Sequence, residues 1–444
     1  MAAAVGIVSS YPRLKSSPSP SKYSKYQSFH PTCRLVCCGG GSELPPPTTP
    51  DFKFALHDAL DSSGVDTTHA REARQNFMSQ IKGLSSIERE VSISINRRVD
   101  LAKTAISISA EDFALMSQSP LPLPVDPFID RLFDLAMEFC KTNKVLRASP
   151  EAFLDSLYSF LYVKKAINSF PLAQLNYGFV QFGSSNQGFH RSNMRSRLEP
   201  HPLYLHAVLT YQSGSASMLA LVYSEILKVL RFWSLLDFDC EIFFPHDRYG
   251  LPRGYHKQKS AESDHPHILT VQTLLEEILK NVKEAFWPFQ HDHTKSLFLR
   301  AVHAVSCTDR SGVVEESGFH LESAKTSRWR LDRRTLTSLH LVDTSLALSA
   351  CERLILLGFD PKELRDYSVL LYHCGLYEQS LQYLKLYQDR KGSSLQKQAS
   401  DELSILEEVA GEKLMMRLNL ISMEEGWSKP PHSGKILLNN SEPS

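Results

Sequence analysis

The stretch Tyr211–Phe232, YQSGSASMLALVYSEILKVLRF, constrains the fold more than any other part of the chain. It opens on small residues, Ser213-Gly214-Ser215-Ala216-Ser217, and continues with Leu219, Val222, Tyr223, Ile226 and Leu230 at helical spacing. The pattern predicts a tight turn feeding a buried helix. The N-terminus of such a helix lowers a thiol's pKa, and its unpaired N–H groups can hold an oxyanion. No cysteine lies between Cys140 and Cys240. The turn therefore has the scaffold of a nucleophile site without the thiol.

The chain around it has 444 residues, room for two or three domains, and its 42% hydrophobic content is that of a soluble globular protein. Its formal net charge of zero conceals an asymmetry. Residues 1–38 carry Arg13, Lys15, Lys22, Lys25 and Arg34 and no acid, which leaves 44 basic against 49 acidic residues beyond them. That balance argues against nucleic-acid binding. No apolar run reaches the roughly 18 residues of a membrane span, so no transmembrane segment is expected.

The first 38 residues are rich in Ala and Ser, basic and free of acids, which is the composition of an organellar presequence. The opening Met-Ala-Ala-Ala, the lack of a regular Arg-rich amphipathic helix, and Val36-Cys37-Cys38 before a glycine run point to a plastid rather than a mitochondrion. The expected location is the chloroplast stroma. Cys33, Cys37 and Cys38 would leave with this segment. Cys140, Cys240, Cys307, Cys351 and Cys374 remain, widely spaced and without a C-x-x-C, so neither a disulfide framework nor a structural zinc site is expected.

Further along, a linker over 39–69 leads into helices, and the proline-rich SPLPLPVDP ends in Asp126-Pro127, a helix start. Ser149-Pro150 starts another helix. Residues 168–200 read as a polar loop, and Phe238–His246 as the best strand. Residues 306–336 read as an inserted loop. The chain then turns helical again over 337–422, with Gly358 closing one helix and Asp360-Pro361-Lys362-Glu363 capping the next as a capping box. Residues 423–444 read as a tail.

Residues 361–390 match the pattern of one tetratricopeptide repeat, with Ser368, Gly375, Tyr377, Ser380 and Leu384 at its small, glycine, aromatic, small and large positions. Residues 70–390 as a whole resemble the SirB-type transglutaminase-like/tetratricopeptide family. The resemblance rests on Leu205, Val208 and Leu209, then Gly214 and Ala216, then the aliphatic run Leu219 to Tyr223, with Ala216 where that family has proline. It implies an α+β, predominantly helical fold: a degenerate transglutaminase-like (papain-like) core over 70–305 and a short tetratricopeptide-like helical domain over 337–422.

True transglutaminases, to which the resembled family is related, carry a Cys-His-Asp triad. Carried over by position, the nucleophile falls at Ala216, the histidine at His246 and the aspartate at Asp264. Alanine offers no nucleophilic lone pair, so no catalytic residue is expected there. The implied role is a non-catalytic adaptor, assembly or regulatory factor that binds other plastid proteins. Tyr367, Tyr372, Tyr377 and Tyr383 on the repeat are the protein-binding candidates. Two alternatives stay open: a hydrolase or acyl transferase using Ser215, Ser217 or Cys240 with His246 and Asp264, or a small-ligand sensor built around His246.

Asp264-His265-Pro266-His267 and His291-Asp292-His293 invite a metal reading, but neither places two imidazoles on one helix face. No metal is expected, and with no phosphate loop or dinucleotide fingerprint, no cofactor. The oligomeric state is left open by the sequence.

Overall fold

The computed structural model describes the chain from Ala55 to Ser428, except residues 63, 85–88, 90, 95–97, 118–120, 143–148, 164–187, 193–200, 246–249, 260–266, 290–295, 308–338, 359 and 394–401. The expected presequence, most of the 168–200 loop and nearly all of the 306–336 insert lie outside the described residues.

The helices come first in the chain: α1 (Ala55–Ser62), α2 (Thr68–Lys82), α3 (Leu101–Ser117), α4 (Asp126–Thr142) and α5 (Pro150–Tyr158), which runs on as a π-turn over Ser159–Val163. The strand β1 (His190–Arg191), the helix α6 (Leu205–Tyr211) and the strand β2 (Ser213–Gly214) lead into α7 (Ala216–Phe232). The strands β3 (Cys240–Phe243) and β4 (Arg253–His256) follow, then α8 (Val271–Ala285), α9 (Leu297–Cys307), α10 (Leu339–Leu357), α11 (Lys362–His373), α12 (Tyr377–Ser393) and α13 (Glu402–Ser428). The described chain is predominantly helical. Its paired strands are two short pairs, β1 parallel to β2 and β3 antiparallel to β4.

The central helix α7 is more deeply placed than its one apolar stripe suggests. Every residue from Ala216 to Leu230 except Lys228 is buried. A helix enclosed on all sides has to be nearly apolar all round, and α7 is. It packs against α3, α4 and α8, with Leu219, Ile226 and Leu230 in the main core. The one acid on the buried part of α7, Glu225, is paired with Lys228 at 3.3 Å.

Helix starts follow the expected chemistry in places. Ser149 Oγ accepts from Ala152 N at 3.3 Å ahead of Pro150, and Thr270 and Thr273 form a reciprocal capping pair at the start of α8. The capping box expected at α11 is not formed. Asp360 Oδ1 accepts from Lys362 N at 2.8 Å, but Glu363 turns away to meet Lys283 at 2.6 Å. A buried lysine outbids a backbone N–H for that carboxylate, because a charged donor makes the stronger bond.

Two sequence boundaries need correction. The expected linker over 39–69 contains α1, whose Leu56, His57 and Leu60 are buried in the fold. The expected tail from 423 is still helical through Ser428. The expected split between 70–305 and 337–422 is also not a split in packing. Leu354 and Leu357 of α10 join the core built around α7, while Leu56, Ala70 and Leu115 join the core built on α9–α13. The described residues belong to one compact unit.

Within it, α11 and α12 make an antiparallel hairpin around two serines. Ser368 Oγ donates to Ser380 O and Ser380 Oγ donates to Ser368 O, each at 2.8 Å, and both side chains are fully buried. Serine is small enough to let the helices touch, and each hydroxyl finds a carbonyl across the crossing. Gly375 takes φ +75° at the turn, where a side chain would be strained. Leu384 fills the hairpin's base, buried in the second core.

Candidate functional site

Ala216 is the one member of the resemblance-implied triad that the described residues include. It is the first residue of α7, following the extended Ser215 at φ −64° and ψ 158°. The turn before it is pinned on both sides. β2 pairs with β1, and Ser215 N donates to Pro202 O at 2.9 Å. Gly214 is closely packed: a Cβ there would sit 3.0 Å from both methyls of Val208, which would have to give way. His246 and Asp264 lie outside the described residues.

The hydroxyls beside Ala216 are committed to structure. Ser215 Oγ accepts from Met218 N at 3.3 Å and shares a hydrogen bond with Ser217 Oγ at 3.0 Å. Ser217 Oγ also accepts from Asn281 Nδ2 at 3.2 Å. Both serines are buried. Among the described residues, no imidazole or carboxylate is hydrogen-bonded to either, so neither hydroxyl has the base that nucleophilic serine needs.

Cys240 fares no better. It lies in β3, fully buried, and its carbonyl accepts from Ser94 Oγ. Burial pushes its thiol up to about 11, against the pull of Arg231. A thiol held there is protonated at neutral pH and is a poor nucleophile. Directly across the strand pair stands His256, which faces Glu151 with Nδ1 3.8 Å from Oε1 and meets Phe238 edge-on at 5.6 Å. The register brings a cysteine and a histidine opposite each other, and a carboxylate beyond the histidine, but the sulfur has no path to solvent.

Beneath this pair Gly254 matters for the same reason as Gly214. A Cβ there would lie 2.6 Å from Leu154 Cδ2 and 2.9 Å from the Tyr223 hydroxyl. That hydroxyl donates to Leu154 O at 3.3 Å, tying α7 to α5. Of the two histidine clusters, only His267 is described; its ring stacks on Phe243 at 5.0 Å.

The four tyrosines proposed as partner contacts separate into two kinds. Tyr367 is fully buried and donates to Glu352 Oε1 at 2.7 Å, and Tyr372 is buried in the second core. Neither ring is available at the surface. Tyr377 and Tyr383 are half-buried: Tyr377 meets Tyr372 edge-on at 5.3 Å, and Tyr383 meets Tyr367 edge-on at 4.8 Å.

The most concentrated polar chemistry was not anticipated from the sequence. Arg74 of α2, Glu111 and Asp112 of α3, and Glu352 and Arg353 of α10 come together fully buried. Arg74 donates from Nε and Nη2 to Glu111 at 2.8 and 2.5 Å, and from Nη1 to Glu352 at 2.8 Å. Arg353 donates from Nη2 to Asp112 at 2.5 Å and from Nη1 to Ile108 O at 3.1 Å. Tyr204 donates to Asp112 Oδ2, Tyr367 to Glu352 Oε1 and Ser349 to the Glu111 oxygen that also meets Arg74 Nη2, and the imidazole of His57 lies 3.4 Å from Glu111.

The two neighbouring acids respond in opposite directions. Burial raises both, but Arg74 and Arg353 together hold Glu111 well below the usual carboxylate range. Burial carries Asp112 up to about 6, against the pull of Arg353 and with a push from Glu111. A second buried set joins α8, α11 and α13. Lys283 sits between Glu363 and Asp366 at 2.6 and 3.1 Å, and Arg365 spans Asp366 and Glu407 at 3.2 and 2.7 Å.

Both sets fasten helices that are far apart in sequence; enclosed as they are, they have no substrate to act on. A partial sign of them lies in Glu111-Asp112 and Glu352-Arg353, which sit inside otherwise apolar helical runs. No family model, curated protein or solved structure matches the chain.

Proposed function

We propose that this chain is a non-catalytic protein-binding adaptor or assembly factor of the chloroplast stroma, built on a degenerate transglutaminase-like core that runs into a tetratricopeptide-like helical hairpin. The observation that carries the reading is Ala216 at the N-terminus of α7, at the position where true transglutaminases carry their nucleophile and this chain has a methyl group. The hydroxyls on either side are spent on capping and on Asn281, and the nearest candidate thiol is buried and protonated. The hairpin supports the second half of the reading: small residues at its crossing, glycine at its turn, and Tyr377 and Tyr383 half-exposed along it. The stromal location rests on the acid-free first 38 residues.

The test is affinity purification of tagged residues 39–444 from stroma, beside a Tyr377→Ala/Tyr383→Ala variant of unchanged melting temperature. Specific proteins that co-purify with the parent and are lost with the variant support an adaptor working through the hairpin. A chain that captures nothing reproducibly overturns it. Removing the helical half is the wrong control, because it takes Glu352 from Arg74 and Arg353 from Asp112 and opens the shared core.

One competing reading has an observation in its favour. The Cys240–His256 register with Glu151 beyond it has the order of a thiol hydrolase. It requires a sulfur that reacts with a small thiol reagent in the folded protein, which the burial of Cys240 opposes.

A further inference from the structure

The last helix, α13, is apolar on two opposite faces. Leu414 and Leu418 on one face are buried in the second core. On the other face Ile405, Leu406, Val409, Met416, Leu420 and Met423 are 43% to 62% exposed. These are six of the eleven large hydrophobic side chains that stand exposed among the described residues, gathered on one helix. Scattered exposed apolar residues need no explanation; a continuous stripe of them does.

The stripe has a seven-residue period. Leu406, Lys413 and Leu420 recur at one position, and Val409, Met416 and Met423 recur three residues later. This is the spacing of a coiled-coil seam, with Lys413 the single polar interruption and Glu412 on its flank. Both of these are exposed. A helix that had only its own core to face would keep one such seam, not two.

We infer that this face of α13 is a dimer interface, and that its occupant is the same face of a second copy, running antiparallel. Three observations on the stripe select that occupant. Antiparallel pairing with its two-fold axis between Leu414 and Met415 sets Leu406 on Met423, Val409 on Leu420 and Lys413 on Met416 of the second copy, so each layer has an apolar member. Parallel pairing would stack Lys413 on Lys413.

Charge is the second selector. The stripe carries one base and one acid, Lys413 and Glu412, and in the antiparallel arrangement each lysine lies within about one helical turn of the other copy's glutamate. The surface thus complements itself. Around it Glu402, Glu412 and Glu408, the last paired with Lys391 at 2.8 Å, still outnumber Lys413 and Lys391, which disfavours an anionic membrane as occupant.

Area is the third. The six side chains offer roughly 700 Å² of accessible apolar surface per copy, against about 800 Å² per partner in a standard stable interface. A dimer with dissociation in the micromolar range is the expected consequence. The inference is independent of the adaptor reading, since it concerns the purified chain alone.

Sedimentation velocity on purified residues 39–444, from about 1 to 100 μM, tests it. The expected species at high concentration has twice the monomer mass, and Leu420→Glu shifts it to monomer with unchanged helical signal and melting temperature. Lys413→Glu and Glu412→Lys should each weaken self-association at least tenfold. An equimolar mixture of the two should recover a dimer of mixed composition, because like charges on each variant become opposite charges between them. A parent that stays monomeric at 100 μM overturns the inference. So does a monomeric parent that Leu420→Glu destabilises, which would place a segment of the same chain over the stripe. A dimer that persists in Leu420→Glu and Met416→Glu overturns it as well, by locating the contact elsewhere.

Discussion

Arg74 Nη1 donates to Glu352 Oε2 across 2.8 Å, although 278 residues separate the two in sequence. Both are fully buried, and Glu352 also receives the Tyr367 hydroxyl and Leu56 N. One carboxylate thus holds α1, α2, α10 and α11 at a single point. A buried ion pair adds little net stability compared with a well-packed apolar pair, but losing one partner strands a charge.

Arg74→Met is therefore expected to cost about 3–5 kcal/mol, since it leaves Glu111 and Glu352 without their shared counter-charge. Chemical denaturation would show this as a shifted midpoint at nearly constant slope. The joint variant Arg74→Met/Glu352→Gln should recover part of the loss. If Arg74→Met unfolded at the parent's denaturant concentration, the network would carry no coupling between the helices.

The neighbouring acids give the pH dependence a definite shape. Glu111 has its carboxyl lowered in the folded state, so its stabilisation is present above the ordinary glutamate range and is lost as pH falls through the folded value. Asp112 is raised to about 6, so the folded chain binds its proton more readily than the unfolded chain does. Its contribution is fullest below the ordinary aspartate value of 3.8 and is lost as pH rises toward 6. Asp112 therefore stabilises the fold on acidification from pH 7 to about pH 4.5, while buried His373, held down to about 4, destabilises it over the same interval because the unfolded chain takes up that proton first. The melting temperature of the parent relative to Asp112→Asn should rise as pH falls from 7 to about 4.5. A difference that stays flat over that interval would remove Asp112 from the pH dependence.

The helices were legible where apolar spacing was regular: α4, α5, α7 and the α11–α12 hairpin all stand where the sequence put them. The hairpin was legible in detail, down to Ser368 and Ser380 at its crossing, because the need for small residues there is local. What could not be read depends on distant partners. Glu363 has the spacing of a capping residue, and only the approach of Lys283, 80 residues earlier, diverts it. Tyr367 and Tyr372 looked like surface aromatics of a repeat, and it is α10, α13 and the second core that cover them. The shared cores could not be read for the same reason: a break in periodicity at 306–336 does not reveal that helices on either side pack together.

The thiols offer a direct check on the nucleophile question. Burial raises Cys240 to about 11 and Cys374 to about 12, and Cys351 well above its ordinary value. In the folded protein at pH 7.5, mass-spectrometric mapping after a small alkylating reagent should find these three unmodified. All three should react once guanidinium unfolds the chain. Rapid modification of Cys240 alone in the native state, lost in His256→Ala, would revive the hydrolase reading.

Ser380 is the sharpest test of the helical hairpin. Its side chain is fully buried, its hydroxyl donates to Ser368 O at 2.8 Å, and its own carbonyl accepts from Ser368 Oγ at the same distance. Ser380→Ala removes one hydroxyl but keeps the close approach, and is expected to cost about 1 kcal/mol. Ser380→Leu forces the helices apart as well, and overpacking of this kind adds about 1–3 kcal/mol. The two variants should therefore separate clearly in thermal melts. The displacement should spread along α11 to Tyr367 and loosen its hydrogen bond to Glu352, so amide exchange should rise in α10 beside Glu352 in the leucine variant alone. Equal exchange in both variants would mean that the crossing serves only the hairpin and transmits nothing to the buried charges.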